Sequence, residues 1–277
     1  MWVYLNGEIL DSSEAKISPL DRAFTFGEGV YEVIPSYNKK LFLFSEHLSR
    51  LKSSLEKTFI PFPQELINLE EVLHKLYDMN GFLNQSFYIQ VTRGVQELRS
   101  HQVDSKIDPT IFISSQNLEI NPYRLNPERA GLRARIEEDI RWSRCDIKTT
   151  GLIGNILSLH DPSKERVDEI IFHKDGIINE GSRSNIFFVK DKKVYTPSLE
   201  QNILPGVTRA FIIKLLKEND ISIFEESIPI DFINESDEIW LTSSTKEIQP
   251  VDYINERELP KKNTESQIWK RILRLFD

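Results

Sequence analysis

Apolar residues recur along this chain at two periods, and the period switches from segment to segment. Trp2 to Leu10 alternates about Asn6-Gly7, a dipeptide suited to a tight hairpin turn. Val30 to Tyr37 and Leu41 to Phe44 read as strands around Asn38-Lys39-Lys40. Ser45 is placed to cap a helix carrying Leu48, Leu51 and Leu55 on one side. Leu66, Leu69, Val72, Leu73 and Leu76 repeat at helical spacing up to Gly81. Phe87, Ile89 and Val91 alternate with Tyr88 and Gln90 as a half-buried strand does, and Thr110 to Ser114 predicts another strand.

Asn117 to Glu128, with Pro122 and Pro127, breaks both periods and predicts a linker. Residues 1–116 then form an N-terminal domain, 117–128 the linker and 129–277 a larger C-terminal domain. In the latter, Leu132 to Ile136, Glu169 to Phe172 and Glu238 to Thr242 are predicted strands. Ile186 to Val189 and Val194 to Thr196 predict a hairpin, and Val207 to Glu218 and Glu265 to Phe276 predict helices. There is no internal repeat or low-complexity tract. Strands that do not alternate regularly with helices favour an α+β fold over a doubly wound parallel sheet.

Composition narrows the function classes. The 277 residues are 39% hydrophobic and 28% charged, with 35 Lys and Arg against 43 Asp and Glu. The net charge of −8 argues against a broad nucleic-acid surface. The single cysteine, Cys145, permits no intrachain disulfide and fits a reducing, cytoplasmic setting. The N-terminal residues lack the basic and apolar segments of a signal peptide, and no apolar run approaches a membrane span, so no membrane partner is expected. No metal-ligating pattern stands out.

The chemistry is concentrated in three segments. Lys148 closes Cys145-Asp146-Ile147-Lys148, with Arg141 and Arg144 nearby as cations that can depress a lysine pKa. Glu180 follows in a turn, Glu180-Gly181-Ser182-Arg183-Ser184-Asn185, and Leu204-Pro205-Gly206-Val207-Thr208 opens a helix. An amine can hold an aldehyde as a Schiff base, and a carboxylate can keep a pyridine nitrogen protonated. A helix start can bind a phosphate. In this order the three make the parts of a pyridoxal 5′-phosphate (PLP) site.

The Cys-Asp-Ile-Lys segment, the Glu-Gly-Ser-X-Ser-Asn run and the Gly-Val-Thr helix start resemble the fold-type IV PLP enzymes, most closely the D-amino acid transaminases. The resemblance runs from Asp21 to Pro250. It implies a small N-terminal α/β domain, a larger C-terminal domain and a homodimer. It makes Lys148 the catalytic lysine and Glu180 the partner of the ring nitrogen. It assigns Arg50, in Glu46-His47-Leu48-Ser49-Arg50, to the phosphate, together with Val207, Thr208 and the Ser243-Ser244-Thr245 run, and packs Leu204 on the ring. Tyr31, in a motif where Glu28 replaces the usual aspartate, and the Arg99-Ser100-His101 pair would bind the substrate carboxylate, the pair reaching in from the partner subunit. Arg183 stands where the family has serine. It either adds a substrate-binding cation or pairs with an acid and faces solvent.

The expected reaction exchanges an amino group between a D-amino acid and a 2-oxo acid in a ping-pong scheme. Branched-chain L-amino acid and (R)-amine transaminases of the same fold remain alternatives, as does a non-catalytic PLP-binding relative. The Arg99 and His101 pair argues against the branched-chain reading and against an aminodeoxychorismate lyase.

Overall fold

A computed structural model describes residues 1–104, 106–255, 257–259 and 267–276. One unit comprises Met1–Glu119 with Ile147–Leu152, and a second comprises Ile120–Asp146 with Ile153–Asp277. The stretch bearing Lys148 thus belongs to the first unit, although the sequence groups it with residues 129–277. Backbone pairing is the reason. The Tyr31 amide donates to the Lys148 carbonyl (2.9 Å) and the Thr150 amide to the Gly29 carbonyl (3.0 Å), while Ile147 is buried in the first unit's core.

The first unit is built on an antiparallel sheet. Asn6 and Gly7 take φ of 47° and 100°, the backbone of a two-residue turn that matches strand twist. They join β1 (Trp2–Leu5) to β2 (Glu8–Asp11). A short helix α1 (Arg22–Phe26) precedes β3 (Gly29–Tyr37) and β4 (Lys40–Leu41), and β5 (Asn84–Thr92) and β6 (Thr110–Asn117) complete the order β2-β1-β6-β5-β3-β4. Val30 and Ile34 of β3, Phe87, Ile89 and Val91 of β5 and Ile111 and Ile113 of β6 share a core with Leu51 and Leu55 of α2 (Phe44–Lys57) and Leu69, Leu73 and Leu76 of α3 (Leu69–Asn80). Period-two burial in the strands and three-to-four-residue burial in the helices are what the apolar pattern requires.

Several boundaries differ from the sequence reading. The expected strand Leu41 to Phe44 ends at Leu41, because Leu43 turns into the left-handed region (φ 48°) and Phe44 begins α2. Ser45 therefore lies inside the helix, and its hydroxyl donates to the Glu46 carboxylate (2.7 Å) instead of capping. Leu66 sits in a 3-10 turn, Gln64–Asn68, ahead of α3. The stretch 117–128 is not plain linker. It holds a helical turn, α4 (Pro122–Leu125), whose Tyr123 amide donates to the Asn121 side chain (3.0 Å). Asn121 Nδ2 in turn donates to the carbonyls of Lys246 (2.9 Å) and Ile248 (3.0 Å).

Among the described residues the second unit holds a ten-stranded mixed sheet. Its strands are β7 (Leu132–Glu138), β8 (Glu169–Lys174), β9 (Ile177–Gly181), β10 (Asn185–Lys190), β11 (Lys193–Pro197), β12 (Ile223–Glu226), β13 (Ile228–Pro229), β14 (Glu238–Ser243), β15 (Glu247–Ile254) and β16 (Arg257–Glu258). The order is β12-β11-β10-β14-β15-β7-β8-β9-β13, with β16 on β15. Strand β7 pairs in parallel with both β8 and β15. Helices α5 (Ile153–Leu159), α6 (Val207–Glu218), α7 (Phe232–Glu235) and α8 (Ile268–Leu273) accompany it. Glu265 and Ser266 of the predicted terminal helix lie outside the described residues. Ile171, Ile178, Ile186, Phe188, Ile239 and Leu241 form one core cluster, and Phe187 stacks on Trp240 at 4.4 Å. No helix among the described residues is long and apolar enough to cross a membrane.

A polar cluster is set into the first unit. Glu32 of β3 is fully buried and accepts from Arg50 twice, Nε to Oε2 (2.9 Å) and Nη2 to Oε1 (2.6 Å). His47 Nδ1 lies 3.0 Å from Oε1. Burial alone would raise the Glu32 carboxyl, but the Arg50 charge and the His47 hydrogen bond outweigh it and hold it below the ordinary glutamate range. Burial also pushes His47 below its ordinary value, so it donates as a neutral imidazole. Breaking a buried pair from one side costs about 3–5 kcal/mol. Glu32→Gln is expected to lower stability by that order near neutral pH. Because the folded carboxyl is depressed, its contribution is full above the ordinary value of 4.5 and is lost as pH falls below it. Urea unfolding of both proteins from pH 7 downward should show the gap closing below pH 4.5. A gap independent of pH would contradict this account.

Candidate active site

Lys148 follows the buried Ile147 and runs beside the start of β3, where Thr149 bridges Val30. The Lys148 amide donates to the Ser54 hydroxyl of α2 (3.3 Å), and its Nζ lies 4.2 Å from the centre of the Tyr31 ring. Strand pairing and helix packing thus fix the backbone on both sides of a half-buried amine. Tyr31 also packs on Tyr88 at 5.5 Å. The cations expected to act on Lys148 are committed elsewhere: Arg141 pairs with Asp139 and Glu180, and Arg144 with Asp146. Arg50, one turn before Ser54 on α2, is oriented by Glu32 of β3.

Arg99 and His101 come together on one aromatic ring. The Arg99 guanidinium lies 4.5 Å from the Phe26 centroid and the His101 ring 5.4 Å from it. Both residues are exposed. Their loop is held by Arg22, whose Nη1 donates to the Ser100 carbonyl (2.6 Å) and Gln96 Oε1 (3.2 Å). Arg22 is held in turn by Glu28, which also accepts from Arg93 (2.7 Å).

In the second unit Glu180 is the penultimate residue of strand β9 and is buried, whereas the sequence reading put it in a turn. Its Oε1 accepts from Arg141 Nη1 (2.7 Å), and its Oε2 from Asn185 Nδ2 (3.0 Å) and the Leu204 amide (3.1 Å). Burial pushes the Glu180 carboxyl up to about 7 against the pull of Arg141 and the Leu204 N–H, with Asp139 adding to the rise. Asn185 Nδ2 also donates to the Leu204 carbonyl (3.0 Å). Two strand ends and the approach to α6 are therefore tied through one carboxylate.

Helix α6 begins at Val207 after Gly206, and no side chain caps it. A Cβ at Gly206 would overlap the Asn185 side-chain oxygen, so only glycine permits this approach. The buried Thr208 hydroxyl has no hydrogen-bond partner among the described residues. A helix start with open N–H groups and a positive dipole end favours an anion. Ser243 closes β14, and Ser244 and Thr245 follow in the half-buried turn to β15. Arg183 turns away from Glu180: its Nη2 donates to the Asp168 carbonyl (3.1 Å), its Nε lies 3.8 Å from Glu169 and its side chain is 70% exposed. Glu169 accepts from the hydroxyls of Ser182 and Ser184 and so shapes the turn between β9 and β10.

Sequence reasoning passed over Glu32, His47, Asp139 and Asn185 as site residues. Asn185 was within reach, since it closes the quoted Glu-Gly-Ser-X-Ser-Asn run. Asp139 carried no signal, because an acid two residues from an arginine is ordinary surface composition. Cys145, at the head of the lysine motif, is not a nucleophile here. Burial pushes its thiol up to about 12, and its S–H points to the Trp142 carbonyl (3.3 Å). Among the described residues no group of three or more His, Cys, Asp or Glu could hold a metal ion.

A model of the amino-transferase class IV family matches residues 29–254. A D-alanine aminotransferase of Staphylococcus aureus (strain N315) is 37% identical over 250 residues, spanning 90% of this chain and 87% of that protein. Among solved structures, a branched-chain aminotransferase of Thermoproteus uzoniensis with norvaline superposes with a TM-score of 0.88 at 25% identity, covering 100% of this chain and 93% of that one. A hypothetical aminotransferase from Mycobacterium tuberculosis in its PLP-bound form gives 0.84 at 20% identity, covering 100% and 98%. The chain belongs to the class IV aminotransferases, PLP-dependent enzymes of fold type IV.

Proposed function

We propose that this chain is a D-amino acid transaminase that passes an amino group from a D-amino acid to a 2-oxo acid. The observation that carries this reading is the 37% identity over 90% of the chain to a D-alanine aminotransferase. Convergence of Arg99 and His101 on Phe26 supports it, because two adjacent cationic or donor groups suit a carboxylate.

The donor set fits PLP. Lys148 offers a half-buried amine, Glu180 a buried carboxylate and α6 an uncapped start with an orphaned Thr208 hydroxyl. PLP, when bound, supplies a ring that withdraws the electron pair left when the substrate Cα–H bond breaks. Lys148 would hold the cofactor's aldehyde carbon through Nζ and, once displaced by substrate, carry a proton from the substrate α-carbon to the cofactor C4′. Glu180 would keep the ring nitrogen protonated. Arg50, the Val207 and Thr208 amides and the hydroxyls of Ser243 and Ser244 would hold the phosphate, and Leu204 would pack on the ring. Tyr31, Arg99 and His101 would bind the substrate carboxylate, and Arg183 would add a cation for substrates with a second carboxylate.

In this reading the enzyme is a homodimer, and Arg99 and His101 serve the partner's site, which accounts for two chemically active side chains lying exposed on one loop. The two domains follow the structural units, with residues 147–152 belonging to the N-terminal one. A lone free thiol at Cys145 supports a reducing, cytoplasmic location.

Borohydride reduction of the yellow protein followed by peptide mapping should find the pyridoxyl group on Lys148. Recovery on another lysine would contradict the assignment. D-alanine and D-glutamate should bleach the cofactor faster than L-leucine does, and the reverse order would favour a branched-chain enzyme. Loss of a charge-assisted carboxylate contact costs about 1.5–3 kcal/mol, so Arg99→Ala should weaken the D-alanine half-reaction roughly tenfold to a hundredfold. Mixing inactive Lys148→Ala and Arg99→Ala protomers should restore activity in hybrid dimers. No recovery in verified hybrids would mean that Arg99 acts within its own chain.

A further inference from the structure

Two buried acids share one buried guanidinium in the second unit. Asp139 takes most of it: Arg141 donates to Asp139 from Nε (2.9 Å), Nη2 (2.8 Å) and its backbone amide (3.0 Å). Glu180 receives only Nη1 (2.7 Å). The side chains of Asp139, Arg141 and Glu180 are 3%, 7% and 5% exposed, so water screens none of these charges well. Among the described residues, the other side chains in hydrogen-bond or ring contact with these three carry no charge. Asn179 donates to Asp139 (2.9 Å), Asn185 donates to Glu180, the Phe172 ring lies 4.7 Å from the guanidinium, and Cys145 is a neutral thiol. Arg144 is exposed and paired with Asp146.

With both acids ionised the cluster is one positive charge short. We propose that Asp139 is a positioning residue: it fixes the Arg141 guanidinium and offsets its charge, so that Glu180 presents an uncompensated negative charge to the cofactor's ring nitrogen. This rests on the assignment of Glu180 to that nitrogen. Arg141 alone would neutralise Glu180 and would itself repel a protonated ring. Asp139 cancels both effects without approaching the cofactor. The charge deficit falls on Glu180 because Asp139 holds the better geometry. Arg141 keeps the Asp139 carboxyl below its ordinary value despite burial, whereas burial drives Glu180 upward. A cation arriving at Glu180 closes the deficit.

The test compares binding of PLP with binding of its analogue in which CH replaces the ring nitrogen. Both are measured on the apoenzyme by quenching of tryptophan fluorescence. Wild type should prefer PLP at least tenfold. Asp139→Asn should reduce that preference to within about threefold while leaving affinity for the analogue unchanged. Asp139→Glu should keep the preference, and Arg141→Gln should not lower it. The double variant Asp139→Asn/Arg141→Gln, which restores one net negative charge, should recover it. A packing role for Asp139 would make the double variant worse than the single one. Wild-type preference in Asp139→Asn, no recovery in the double variant, or a lowered preference in Arg141→Gln would each overturn the proposal. If Asp139→Asn fails to bind the analogue, the Arg141→Gln and double-variant ratios decide. Absence of any preference in wild type would instead remove Glu180 from the ring nitrogen, and the proposal with it.

Discussion

A buried charge persists in a fold only when an opposite charge and enough donors meet it, because the alternative is desolvation without repayment. Glu32, met by Arg50 and His47, is the fully offset instance here, and Glu180, which shares Arg141 with Asp139, is the one that joins the most segments. The two Glu180 oxygens accept from Arg141, Asn185 and the Leu204 amide, and these three partners come from separate parts of the second unit. Satisfying one carboxylate therefore fixes the end of β9, the start of β10 and the backbone leading into α6. Asp139, anchored through its amide to the His173 carbonyl (2.7 Å), extends the same chain of hydrogen bonds to the end of β7. The second-unit residues proposed to hold the cofactor are thus tied together by one ionic cluster as well as by the apolar core beneath them.

The first unit uses the same device twice. Glu32 orients Arg50 from inside the sheet, where β3 and α2 pack. Glu28 joins Arg22 to Arg93, and Arg22 secures the loop that carries Arg99 and His101. Glu28 stands where the resembling family has aspartate, and its carboxylate bridges two guanidinium groups, accepting from Arg22 and Arg93 through different oxygens. Each acid orients an arginine whose guanidinium either is assigned to an anion or holds a loop with such a group.

Much of the fold was legible in local pattern. The Asn6-Gly7 hairpin, the helix Val207–Glu218 and the alternation of Phe87, Ile89 and Val91 follow from turn chemistry and period, which act over a few residues. Strand β9 was not legible. Its Ile-Ile-Asn-Glu-Gly sequence looks like a turn because Asn179 and Glu180 are polar, yet both point into buried ion pairs and hydrogen bonds. Strand β15 was missed for a related reason: Pro250 and the polar Glu247 and Gln249 obscure its period, although Glu247 is buried against Arg124.

The sequence by itself determined the type of the strongly periodic elements, the order of Lys148, Glu180 and the Gly-Val-Thr helix start, and hence the chemistry these residues can perform. Residue type and spacing carry that information without reference to the rest of the chain. Only the tertiary structure decided which charges meet. It placed Lys148 beside β3, turned Arg183 onto Asp168 and Glu169, and gave Arg141 to Asp139 and Glu180 instead of to Lys148. Ion pairing in a low-dielectric interior depends on distances of a few ångströms between residues far apart in the chain. No local pattern encodes those distances, because they are set when the strands and helices pack.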